Sequence, residues 1–118
     1  MATITGVYTP TGHPRSIKLR WETLTESNTT GTAESITDFT DRSVQIIGTF
    51  GGSTVSLQGS NDGGTTWAIL DDPQGTAISL TSAGIAQIGT ITELIRPIVV
   101  GGTSVDVDVH VYGRANTR

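Results

Sequence analysis

The sequence predicts an all-β fold, a single-domain antiparallel β-sandwich of jelly-roll-like type with an extended N-terminal arm, and three observations predict it. Only 15% of the residues are charged, 15 are glycine and threonine is abundant, a composition that disfavours helix and suits strands joined by turns. Through the middle of the chain turn clusters recur about every 8 to 12 residues, the spacing of a sandwich or barrel. Near the C-terminus Val105, Val107, Val109 and Val111 alternate with Asp106, Asp108 and His110, the period-two pattern of a strand with one face in a core.

At 118 residues the chain has the size of one domain, and such a domain buries roughly two thirds of its unfolded surface. A net charge of −4 and a pI near 4.8 offer no basic footprint, so nucleic acid is not expected as a partner. With no cysteine there are no disulfides or thiolate metal sites, and stability falls to packing, hairpins and association between copies. Met1 to Gly6 have neither the basic nor the apolar segment of a signal peptide, and the apolar runs are short. The expectation is a protein made in a cytoplasm and not inserted in a membrane.

Residues 1–15 contain Gly6, Pro10, Gly12 and Pro14 and are expected to form the arm, with residues 16–118 forming the sandwich. From Ser16, Ile17, Leu19 and Trp21 on one face alternate with Lys18, Arg20 and Glu22 on the other, a half-buried strand with a charged outer side. A polar loop over 25–32 leads to a short expected strand from Ala33 to Phe39. Val44, Ile46 and Ile47 to Phe50 predict a buried strand, and after Gly51-Gly52 the chain returns over Thr54 to Gln58 with Val55 and Leu57 inward. Trp67, Ile69 and Leu70 make the next strand, Asp71-Asp72-Pro73-Gln74-Gly75 the next turn, and Ala77 to Thr81 another extended run. Over 82–95 Ile85, Ile88 and Ile91 recur at a helical interval, but Gly84, Gly89, Thr90 and Thr92 oppose helix, and strand is expected. Leu94 to Val100 is an apolar strand whose Pro97 lacks a ladder donor and implies an edge or a bulge.

The sharpest local motif is Ser60-Asn61-Asp62-Gly63-Gly64-Thr65-Thr66-Trp67. Asp62 can accept hydrogen bonds from the turn's own amides, Gly63 and Gly64 tolerate the positive φ of a tight hairpin, and Trp67 returns to pack beneath it. The pattern Ser-x-Asp-x-Gly-x-x-Trp resembles the Asp-box of sialidase-type propeller blades, where it is a structural clasp. A propeller of six blades at roughly 40 residues each would need about twice this chain, so Ser60, Asp62, Gly63, Gly64 and Trp67 are read as a structural hairpin.

Other candidate chemistry is weaker. Asp106, Asp108 and His110 project from one strand face but spread over roughly 13 Å, so one ion could hold two of them only with help from another strand. Asp71-Asp72 suits ordinary turn chemistry better than calcium. His13 lies in a Gly-His-Pro turn, neither histidine accompanies a nucleophile elbow, and the Gly-Gly pairs precede strands and not helices. The expectation is a protein with no catalytic residues, no metal and no cofactor.

Phe50 to Gly64, then Trp67 and Asp72-Pro73-Gln74-Gly75, then Ile95-Arg96-Pro97-Ile98-Val99-Val100-Gly101-Gly102, together resemble small virion proteins of tailed bacteriophages over roughly residues 43–112. Those proteins look like capsid decoration or cement proteins, β-rich modules on the outside of the head that clamp neighbouring major capsid subunits. The resemblance implies a non-enzymatic virion protein that stabilises the capsid. Its partner is then the major capsid protein, its state a homo-oligomer with a trimer favoured over a dimer, and its location the virion surface after a passage through the host cytoplasm. The contact to capsid or neighbour is expected from the arm, Thr3 to Arg15, and the Lys18/Arg20 face, with Tyr8, His13, Arg15, Lys18 and Arg20 as the candidates. Arg96, beside Pro97, is expected to be buried against a carboxylate. The rival reading is a carbohydrate-binding or host-recognition module, which requires Trp21 or Tyr8 to be exposed beside polar groups.

Overall fold

A computed structural model describes residues 3–115. It consists of nine strands in two antiparallel sheets. They are β1 (Gly6–Pro10), β2 (Ser16–Leu24), β3 (Asp41–Thr49), β4 (Thr54–Ser60), β5 (Ala68–Ile69), β6 (Ser79–Leu80), β7 (Gly84–Ile88), β8 (Leu94–Val100) and β9 (Asp106–Arg114). The first sheet has the order β1-β2-β9-β3-β7. In the second, β8 runs along one side of β4, while β6 and β5 share the other side.

The core lies between the sheets, and strand alternation explains its membership. Leu19, Trp21 and Leu24 from β2, Val44 and Ile46 from β3, and Val107, Val109 and Val111 from β9 are buried on the inner face of the first sheet. Val55 and Leu57 from β4 and Ile95 and Val99 from β8 meet them from the second, as sandwich packing requires. Each fully buried aliphatic side chain contributes about 1.5–3 kcal/mol relative to exposure, so this interlayer is the main source of stability.

The N-terminal stretch is extended, and residues 6–10 of it are built into the sandwich as an edge strand on β2, with Gly6 opposite Trp21 and Pro10 opposite Ile17. The boundary expected at residue 15 falls inside the β1–β2 connection. Residues 82–95 contain β7 and the start of β8 and no helix. Pro97 sits in β8, whose only strand neighbour is β4, an edge position as expected.

The expected strand from Ala33 to Phe39 does not form. Instead residues 29–34 run beside β8's free edge, with Val99 N donating to Thr29 O at 2.8 Å, Gly31 N to Pro97 O at 3.1 Å, and Glu34 and Ile95 exchanging both backbone bonds. Ile36 to Phe39 then turn, with Phe39 N bonded to Ile36 O. Gly31 is required at this crossing, because a Cβ there would lie 2.5 Å from Pro97 Cδ and 2.6 Å from Trp21 Cδ1. Arg42, only 3% exposed, ties the turn to β3 through Nε to Phe39 O at 2.6 Å and Nη2 to Ile36 O at 2.9 Å. Burial lowers its pKa, and the two carbonyls satisfy Nε and Nη2 while Nη1 is buried without a hydrogen-bond partner among the described residues.

Candidate docking face and hairpin groove

The outer face of the first sheet is set by register. Directly opposed residues of antiparallel strands share a face, so Val7 and Thr9 of β1 lie beside Arg20 and Lys18 of β2. Arg20 and Lys18 lie in turn beside His110 and Tyr112 of β9. His110 and Tyr112 face Gln45 and Ser43 of β3, which face Ile85 and Gln87 of β7. No second layer covers this face among the described residues. Ile85 is 67% exposed, Tyr112 43% and Ile47 38%, and a shallow groove of about 380 Å³ runs between Lys18, Gln45, Ile47, Ile85, His110 and Tyr112. The result is a broad surface of apolar and aromatic groups set among charges.

The expected contact residues divide. Lys18 and Arg20 are on this face, with Arg20 Nη1 donating to Thr9 Oγ1 at 3.1 Å and Arg20 Nε pairing Glu22 Oε1 at 2.9 Å. His13 and Arg15 lie in the β1–β2 connection and border a recess shared with Tyr112 and Arg114 at one end of the same sheet. Tyr8 is opposite Leu19 and so lies on the other side. Its hydroxyl donates to Ser35 O at 3.0 Å and accepts from Ser35 N at 3.1 Å, fastening β1 to the crossing segment. Burial raises the Tyr8 pKa. Two candidates therefore lie on this face, His13 and Arg15 border a recess at its end, and Tyr8 serves an edge clasp.

Ile47, Ile85 and Tyr112 were not among the expected contacts. The signal was available in two of the three cases. With Val44 and Ile46 inward, period two sends Ile47 outward, and continuing the alternation of β9 past His110 puts Tyr112 on the same side.

The hairpin between β4 and β5 forms as its residues imply. Asp62 Oδ1 accepts from Ser60 Oγ at 2.7 Å, Thr66 N at 2.9 Å and Thr65 N at 3.1 Å, while Gly64 N donates to Ser60 Oγ at 3.0 Å. These donors favour the ionised carboxylate, first among them Thr66 N, and bring the Asp62 pKa down to about 2. Gly63 and Gly64 adopt φ of 73° and 91°. Trp67 packs under the turn, its Nε1 donating to Gly64 O at 2.9 Å. Glu93 fixes the hairpin from outside, accepting from Gly63 N at 3.0 Å and donating its own N–H to Asn61 Oδ1 at 2.8 Å. Asp72 repeats the device, with Oδ1 accepting from Gln74 N and Thr76 N at 2.9 Å each, so its carboxylate is committed to the turn.

Arg96 is not set against a carboxylate. Its Nε donates to Gln58 Oε1 at 2.9 Å and its guanidinium lies 4.1 Å from the Trp67 ring centroid, a cation–π stack at the rim of the second sheet. Partial burial lowers its pKa. Beside the hairpin lies a groove of about 510 Å³ bordered by Asn61, Asp62, Thr66, Trp67, Ile69 and Thr92.

Among the described residues, Glu22, Asp108 and His110 bring donor atoms within 4.8 Å of one another and form the one group suited to a metal ion. No helix in the described residues is long and apolar enough to cross a membrane. Comparison with protein-family models, with characterised proteins and with solved structures gives no match.

Proposed function

We propose that the protein is a non-enzymatic virion component that binds the major capsid protein on the outer surface of a phage head and stabilises the shell. The observation that carries this reading is the uncovered outer face of the five-stranded sheet, where Ile47, Ile85 and Tyr112 stand exposed among Lys18, Arg20 and His110. Contiguous apolar surface rimmed by polar groups suits protein contact. The choice of the major capsid protein as partner rests on the resemblance of the strand-and-turn pattern to decoration proteins. A cement protein requires contact area across subunit boundaries, each apolar Å² contributing roughly 25 cal/mol before association costs, and many copies on a symmetric shell gain by avidity.

Association between copies belongs to the same reading. The edge strand β7, Gly84-Ile85-Ala86-Gln87-Ile88, has neither a charge nor a proline to discourage pairing, and a closed homo-oligomer, a trimer before a dimer, would cover it. The protein would pass through the host cytoplasm before reaching the virion surface.

Co-sedimentation of the purified protein with phage heads stripped of it tests the proposal. Ile85→Asp with Tyr112→Ala should leave the fold intact, because both side chains are exposed, and should abolish head binding. Binding of this variant at the parent's level would refute the use of this face. Failure of the parent to bind heads at all would refute the capsid partner.

One observation favours a carbohydrate-binding module as the second reading, the groove that combines Trp67 with Asn61, Asp62, Thr66 and Thr92. Trp21, fully buried, is not available as a sugar platform. Quenching or shift of Trp67 fluorescence on titration with oligosaccharides would support that reading, and its absence would count against it.

A further inference from the structure

We propose that Glu22, Asp108 and His110 form a binding site for a first-row divalent transition-metal ion, with Zn²⁺ the best match, on the outer face of the five-stranded sheet. This site does not depend on the capsid reading. Along β9 alone, Asp108 and His110 are neighbours on one face, but a single strand offers an ion too few donors. The third donor comes from β2. Arg20 is opposite His110 and Trp21 opposite Val109, yet Leu24 is opposite Val107, so β2 carries one extra residue between Trp21 and Leu24. Counting on from Arg20 and Trp21 brings Glu22 beside Asp108, and the extra residue of the bulge brings Thr23 to the same carboxylate. Donor atoms of Glu22, Asp108 and His110 then all lie within 4.8 Å of one another.

The donor set selects the ion. Two carboxylates with one imidazole suit zinc and its neighbours, whereas calcium and magnesium take oxygen ligands alone. Around zinc at about 2.0–2.2 Å, tetrahedral donors stand roughly 3.4 Å apart, a closure that side-chain torsions at half-exposed positions can supply. One remaining carboxylate oxygen is held as an outer shell holds it, since Thr23 Oγ1 donates to Asp108 Oδ1 at 3.1 Å and leaves Oδ2 to the ion. Glu22 Oε1 is instead engaged by Arg20 Nε at 2.9 Å. Three protein ligands on an open face leave a fourth position for water or for a donor from another molecule. Arg20 is also the site's nearest competing cation, since its pairing with Glu22 must loosen for both carboxylate oxygens to turn toward the metal.

Calorimetric titration of the full chain with ZnCl₂ in a non-chelating buffer near neutral pH tests the site. The expected result is saturable one-to-one binding in the micromolar range, with a Zn²⁺-dependent rise in Tm and a shift of the His110 imidazole NMR resonances. Loss of even an outer-shell partner commonly weakens metal binding about 10–100-fold, so His110→Ala and Asp108→Asn should each weaken it at least that much. Both side chains are on the solvent side of the sheet, and metal-free Tm values verify that the variants fold. His13→Ala, at the distal turn, should bind as the parent does, and Arg20→Gln should bind more tightly. The site is refuted if the parent shows no saturable binding, if His110→Ala binds like the parent, or if His13→Ala alone abolishes binding. Weaker binding by Arg20→Gln would overturn the assignment of Glu22 as a ligand.

Discussion

Replacing Trp21 by Phe probes the junction between the five-stranded sheet and the segment that flanks β8. Trp21 is fully buried in β2, its Nε1 donates to Thr32 O at 3.1 Å, and its Cδ1 lies 2.6 Å from where a Cβ on Gly31 would be. It therefore joins the first sheet to the segment that flanks β8. Phe retains most of the apolar contact but loses the indole's second ring and its donor. The lost burial and incomplete relaxation cost about 1–2 kcal/mol, and the stranded Thr32 carbonyl, partly reachable by water, about 1 kcal/mol. The total is about 2–3 kcal/mol. For a domain of this size that lowers Tm by roughly 8–12 °C. Thermal unfolding followed by far-UV circular dichroism measures it, and urea titration with an unchanged m-value confirms that the native state stays compact. A Tm within about 2 °C of the parent would refute the view that this contact locks the two layers. The variant also leaves Trp67 as the sole tryptophan, a clean fluorescence reporter on the hairpin groove.

Three other outcomes are expected. Asp62 has a folded pKa of about 2 against an ordinary 3.8, so its contribution to stability is fully present above about pH 4 and disappears as pH falls through the folded value. The gap in urea midpoint between parent and Asp62→Asn should accordingly be constant above pH 4 and close between pH 4 and 2, and a gap independent of pH would contradict the assignment. Arg96→Ala removes the stack on Trp67 and the bond to Gln58 and should cost about 1 kcal/mol with a red shift of Trp67 emission; an unchanged spectrum and unfolding midpoint would disprove the stack. Deleting residues 1–12 strips β1 from β2 and removes the Ile4 backbone bonds to Thr30 and Thr32, so it should lower Tm and increase association through the bared β2 edge. A deletion protein as stable and monodisperse as its parent would show that β1 is dispensable.

Much of the fold was legible because alternation is a local property. Val105 to Val111 announced β9 and its inner face, and Ile17, Leu19 and Trp21 did so for β2. The Asp62 hairpin was legible for the same reason, since turn donors and acceptors lie within four residues of one another. Ala33 to Phe39 misled because a short extended run has the same local pattern whether it joins a ladder or crosses between layers. Arg96 misled because a sequence shows that a cation lies in an apolar strand but not which neighbour on β4 or in the hairpin meets it. Tyr8 was expected as a contact to capsid or neighbour, because the sequence of an extended arm does not show that Ser35 takes its hydroxyl.

What the sequence determined by itself was the all-β class, the principal inward-facing residues, and the hairpin with a carboxylate that accepts from its own turn amides, each arising from spacings of two to four residues. Only the tertiary structure decided that Val7, Lys18, Arg20, His110, Tyr112, Gln45, Ile47 and Ile85 share one open face, and that the pairing of β2 with β9 carries Glu22 to Asp108 and His110. The physical reason is that strand order and register are set by which faces bury most area together. That choice depends on the whole core, and it brings Glu22 within reach of residues more than 80 positions away along the chain.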